Sequence, residues 1–185
     1  MTIIRFGYCK NIKWYAIFGY AIRLYERYIS GLDASHAFVE ISDGIEVYRI
    51  ESVFPHGKIS KNADFSSKYK TVEEYSFTSN SSMLEIIGWA KANIQGKKYS
   101  FSQNIGLAVI GLVMKLFKSS NWDIENREFN GRVELNCTEA QIMVLAKFLN
   151  VIPTEGFDNF SVGEARDLIK SVWLLKGAKN VDSLS

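Results

Sequence analysis

The stretch NCTEAQIMVLAKFL, Asn136 to Leu149, decides how the chain is read. Asn136 has the side chain of a helix N-cap, and Glu139 three positions on is its capping-box partner, so a helix starts at Cys137. From Thr138 to Leu149 apolar side chains (Ile142, Met143, Val144, Leu145, Phe148, Leu149) occupy nearly every side. That pattern predicts a helix buried all round and ended before Pro153, hence a central one. Cys137 stands in its first turn, where unpaired backbone N–H groups and the positive end of the helix dipole favour a thiolate. The same N–H groups can hold the oxyanion that forms when an acyl carbon is attacked. With no base nearby, a cysteine beside an apolar helix is only a small core residue.

A candidate base lies far upstream. HAFVEIS and IEVYRIESV are strand-like runs on either side of Asp43-Gly44, a short-hairpin signal. A tight turn there sets His36, near the start of one strand, roughly across from Glu51, near the end of the next. A carboxylate beside an imidazole fixes its tautomer and stabilises the imidazolium, the third role in a triad. Glu46 competes for that role on the same strand, and alone either glutamate is a solvated strand residue.

Around these segments helices and strands alternate irregularly, which predicts an α+β fold with an antiparallel sheet packed on the cysteine helix. Ile3 to Tyr8 reads as a first strand, Ile12 to Ile29 as a helix, SGLDAS as a turn-rich connector, and GKIS and TVEEYSF as further strands around a polar loop at Asn62 to Ser67. Ser82-x-x-Glu85 opens a helix from about Met83 to Ile94, which Gly96 stops. Ile105 to Phe117 reads as a buried helix, too short to span a bilayer and closed by Lys115 and Lys118, and Ser119 to Arg132 as an exposed loop or lid. Ser161-x-x-Glu164 opens a short helix to about Lys170.

The 185 residues suit one domain spanning 1–185, and 47% hydrophobic and 14% aromatic residues supply a continuous core. Lys and Arg number 22 against 20 acidic residues, and no block of like charge forms an arm, which argues against nucleic-acid binding. The N-terminus has neither the basic stretch nor the apolar run of a secretory signal, so a cytoplasmic or particle-associated protein is expected. Cys9, His36, His56 and Cys137 fit no close-paired ligand spacing, so no metal or other cofactor is expected. Cys9 also ends a strand before a helix, but the helix after Cys137 is better capped and more buried. His56, between Pro55 and Gly57, reads as a surface loop residue.

In order and local setting these segments resemble the permuted papain-like amidases and peptidases related to the NlpC type, in which the histidine strand precedes the cysteine helix. IIRFGYCK resembles the opening strand, ASHAFVEISDG the serine-histidine strand and hairpin, and IESVFPHGKI the stretch with the third polar residue. GKKYSFSQNIG is similar to the glycine-x-x-tyrosine segment, and LNCTEAQIMVLAKFL to the cysteine-serine-glutamate helix start, with Thr138 in place of a common serine. The likeness covers roughly residues 2 to 172. It implies Cys137 as nucleophile, His36 as general base and Glu51 as orienting carboxylate, with Tyr99 near the site as support for substrate or oxyanion. It also implies an amide- or ester-containing substrate, such as a peptide, a cell-wall fragment or a lipid, and a setting in bacteria or their phages.

Two rivals predict different behaviour. A binding or structural module on the same fold, such as a phage particle component, predicts a thiol of ordinary reactivity. A lipid acyltransferase, suggested by Ile105 to Phe117, predicts binding to a membrane surface.

Overall fold

The structure, a computed structural model, describes residues 1–11, 17–61, 68–99, 134–151 and 160–182. The expected helix at Ile105 to Phe117 and the expected lid at Ser119 to Arg132 lie outside the described residues. Seven strands, β1 (Thr2–Asn11), β2 (His36–Ser42), β3 (Val47–Val53), β4 (His56–Lys61), β5 (Tyr69–Ser79), β6 (Lys98–Tyr99) and β7 (Glu134–Leu135), form one sheet in the order β5-β1-β2-β3-β4-β6-β7. Neighbours from β5 to β6 are antiparallel and β7 runs parallel to β6. Four helices accompany it among the described residues: α1 (Ile17–Ile29), α2 (Met83–Asn93), α3 (Cys137–Leu149) and α4 (Val162–Asp182). The fold is α+β, as the mixed pattern predicts.

The β2–β3 hairpin departs from the two-residue turn expected at Asp43-Gly44. Ser42 pairs with Val47, which leaves Asp43 to Glu46 as the loop. Asp43 Oδ1 accepts the N–H groups of Ile45 and Glu46, both at 2.9 Å, and Gly44 adopts φ 93°. An aspartate that bonds the backbone ahead of it builds this longer turn. The pairing therefore slips by two residues. Extending the Val39–Ile50 register sets Phe38 opposite Glu51 and His36 opposite Val53. Side chains alternate with period two, so the even slip keeps His36 and Glu51 on one side of the sheet, now as diagonal neighbours.

Ile4, Phe6 and Tyr8 of β1, Val39 and Ile41 of β2 and Ile50 of β3 are fully buried in one cluster with Ile86 of α2, Ile142 and Leu145 of α3 and Ile169 of α4. Burying an aliphatic or aromatic side chain of this size contributes about 1.5–3 kcal/mol each. The nearly all-apolar surface of α3 is buried as its pattern requires, with Lys147 exposed. Its fully buried Gln141 donates from Nε2 to the carbonyls of Phe38 at 2.9 Å and Gly7 at 3.2 Å. These two residues are register partners on β2 and β1. The bonds pin the cysteine helix to the histidine strand two residues from His36.

Both halves of the capping box at Ser161 and Glu164 form, at 3.2 and 2.8 Å. α4 then continues past the expected stop at Lys170 to Asp182. Val172 packs in the core, Trp173 meets the Tyr75 ring at 5.9 Å, and Lys176 bonds the Leu149 carbonyl. These tertiary contacts hold the roughly three further turns that capping signals alone did not extend. The start of α4 is also capped from outside. The Glu26 carboxylate of α1, buried among these groups, accepts the N–H groups of Val162 at 2.8 Å and Gly163 at 2.9 Å.

A Cβ on Gly163 would lie 2.2 Å from Ser30 Oγ and 2.8 Å from Glu26 Oε2, whereas one on Gly88 of α2 would meet nothing within 4 Å. Gly163→Ala should therefore lose about 1–3 kcal/mol of stability. Gly88→Ala should gain about 0.5–1 kcal/mol. Urea unfolding of both variants checks the pair, and equal signs would contradict the packing at the α1–α4 junction.

Candidate active site

Three elements converge on one buried imidazole. β2 begins with His36, β3 carries Glu51, and α3 begins with Cys137; the three side chains' residues are 6%, 8% and 3% exposed. His36 Nε2 lies 3.1 Å from Glu51 Oε2. The Cys137 side chain interacts with the same ring. Glu46, the competing carboxylate, instead pairs with Lys61 and accepts from the Tyr48 hydroxyl at 3.2 Å.

The electrostatics follow from burial and partners. Burial works against a charge on His36, yet the hydrogen bonds with Cys137 and Glu51 outweigh it and push the imidazole up to about 9. For Glu51 burial again opposes the charge, and the His36 hydrogen bond and charge, with Arg49 and Lys58, hold the carboxyl below its ordinary range. The site stabilises an imidazolium flanked by acidic groups.

The first turn of α3 is built as the sequence predicts. Asn136 Oδ1 accepts the Glu139 N–H at 2.8 Å and Glu139 Oε2 accepts the Asn136 N–H at 2.5 Å. The Thr138 hydroxyl lies 2.6 Å from Asn136 Oδ1 and 2.7 Å from the Phe160 carbonyl. These bonds leave the N–H groups of Cys137 and Thr138 with no acceptor among the described residues. The Asn136 Nδ2 beside them is buried and unpartnered too.

Cys9 is the other thiol of the neighbourhood. It pairs across the ladder with His36, is fully buried, and points its Sγ at the His36 carbonyl, 3.6 Å away. Burial, and then the proximity of Cys137 and Glu51, pushes this thiol well above its ordinary range. It contacts the histidine backbone, whereas Cys137 interacts with the ring.

Tyr99 lies on β6, half-buried, in register with Leu135 two positions before Cys137, and its N–H donates to the Pro55 carbonyl at 3.0 Å. His56 is an exposed first residue of β4. Two residues absent from the sequence reading bear on the site, Gln141 through the strand carbonyls of Gly7 and Phe38 and Tyr69 through the His36 ring. Gln141 carries no signal beyond being polar in an apolar helix. Tyr69 packs its ring on His36, with centroids 5.4 Å apart and planes at 31°. Among the described residues no three His, Cys, Asp or Glu side chains group so as to hold a metal ion, and no helix there is long and apolar enough to cross a membrane. Comparisons with protein-family models, curated proteins and solved structures find no significant match.

The pair has a defined pH signature. His36, raised from 6.5 to about 9, contributes its stabilisation in full below pH 6.5 and loses it as pH rises through 9. Glu51, lowered from 4.5, contributes above that value and loses its share as pH falls through its depressed pKa. The stability gap between wild type and Glu51→Gln should therefore be widest from about pH 4.5 to 6.5 and shrink toward pH 10. Urea titrations across that range measure it, and a gap independent of pH would contradict an ionised pair.

Proposed function

We propose that this chain is a cysteine hydrolase of the permuted papain-like kind, which cleaves an amide or ester bond through Cys137, His36 and Glu51. The observation that carries the reading is the buried imidazole of His36, bonded to Cys137 at the head of α3 and to Glu51 at 3.1 Å. A thiol, a base and an orienting carboxylate in that sequence of contacts are the parts of a nucleophilic triad.

In the reaction the Cys137 sulfur attacks the acyl carbon while the thiol proton resides on His36. Glu51 holds the ring in one orientation and stabilises its charged form. The tetrahedral oxyanion takes hydrogen bonds from the N–H groups of Cys137 and Thr138, which have no acceptor among the described residues. Collapse expels the amine or alcohol, which leaves with the proton from His36, and a thioester remains on Cys137. His36 then deprotonates a water that attacks the thioester, releasing the acid and restoring the thiol.

A second reading is favoured by one observation. Cys137, at 3% exposed, is closed to solvent in this conformation. A binding or structural module that keeps the fold without turnover would have no need of an open thiol.

Activity against a panel of nitrophenyl esters and aminoacyl anilides, read together with intact mass, separates the two. The hydrolase reading predicts an acyl adduct on Cys137 that hydroxylamine removes. It predicts that Cys137→Ala and His36→Ala each lower turnover by at least about 10³-fold, and that Glu51→Gln leaves a measurable residue of activity. Turnover at the wild-type level in Cys137→Ala sinks the mechanism.

A further inference from the structure

Along their shared ladder β5 carries one residue more than β1. Tyr8 faces Glu73 but Cys9 faces Thr71, so Val72 has no counterpart and the strand bulges there. One extra residue reverses the side of the sheet taken by every residue beyond it. In the regular part of the ladder Tyr75 and Glu73 lie opposite Phe6 and Tyr8. Tyr69, four positions from Glu73, would by plain alternation share their side. The bulge sends it to the other side, opposite Asn11, which is the side of Cys9 and of Cys9's register partner His36. The ring contact at 5.4 Å is the result.

Tyr69 is embedded in the charge distribution of the site as well as in its packing. Burial, followed by the proximity of Cys9, Glu51 and Cys137, pushes its phenol up to about 12. It stays a neutral ring through the working range. Rotation of an imidazole about its last side-chain bond is soft, so two hydrogen bonds in different directions need packing to hold them at once.

We propose that Tyr69 is a positioning residue of the site, whose ring packs on the His36 imidazole and holds it in the orientation that meets Glu51 and Cys137. The inference deepens the hydrolase reading and rests on it for its catalytic meaning, while the packing itself does not. Bulges beside functional sites re-aim a side chain in this way, and here the re-aimed residue comes from the edge strand of the sheet.

Histidine-labelled protein gives a readout free of substrate, because the chain has two histidines and the exposed His56 serves as internal control. In wild type and in Tyr69→Phe the His36 ring should titrate at about 9. In Tyr69→Leu it should move down toward 6.5 by at least about half a pH unit. Turnover should fall about tenfold or more in Tyr69→Leu and stay within about threefold in Tyr69→Phe. If Tyr69→Leu fails to fold, Tyr69→Thr, a strand former, takes its place. An unmoved His36 in the leucine or threonine variant overturns the proposal, as does a phenylalanine variant that behaves like leucine, since the hydroxyl would then be the acting group. A wild type without turnover but with His36 displaced by Tyr69→Leu would sink the hydrolase reading and leave the positioning contact standing.

Discussion

An imidazole removed from water holds a proton only if its neighbours replace the solvation it has lost, and His36 has been given two such neighbours. Glu51 lies 3.1 Å from Nε2, and the Cys137 side chain interacts with the same ring. Most of the surrounding architecture can be understood as what it takes to bring those three groups together. The β2–β3 register sets His36 and Glu51 on one side of the sheet. The capping box at Asn136 and Glu139 starts α3 at Cys137 and satisfies the N–H groups of those two residues. Gln141 ties the helix to the carbonyls of Gly7 and Phe38, which holds the helix start in reach of the strand start.

The same neighbourhood contains two thiols with different prospects. Cys9 faces the His36 backbone from within the sheet, where burial suppresses its ionisation. Cys137 sits at a helix start whose first two N–H groups have no acceptor among the described residues, with the imidazole beside it. A thiol becomes a nucleophile through a nearby base and donors for the product oxyanion. Only Cys137 has both. Cys137 itself is buried.

How much of this was legible in the sequence varied with the range of the interaction. Capping boxes are local, and those at Asn136 and Ser161 formed as their residues predict. The triad candidates were legible because a helix start and a hairpin are both short-range signals. The hairpin succeeded partly through parity: Asp43 builds a four-residue loop where two were expected, and a slip of two residues leaves the sides of the sheet unchanged. A slip of one would have separated His36 from Glu51. Tyr69 shows the opposite case, because a single bulged residue at Val72 reverses its side and no local motif marks it. Gln141 and the extension of α4 to Asp182 depend on contacts with residues far along the chain, so periodicity alone could not supply them.

The central claim is that Cys137 and His36 act as a coupled pair, and site-resolved alkylation by iodoacetamide as a function of pH, in wild type and in His36→Ala, tests it most directly. Peptide mapping separates Cys137 from Cys9, the chain's only other cysteine. The account predicts that Cys137 is alkylated in the native protein much faster than Cys9, at a rate that falls sharply when His36 is removed. If Cys137 reacts no faster than Cys9, or at the same rate and with the same pH profile in both proteins, the pair does not operate and the account is contradicted.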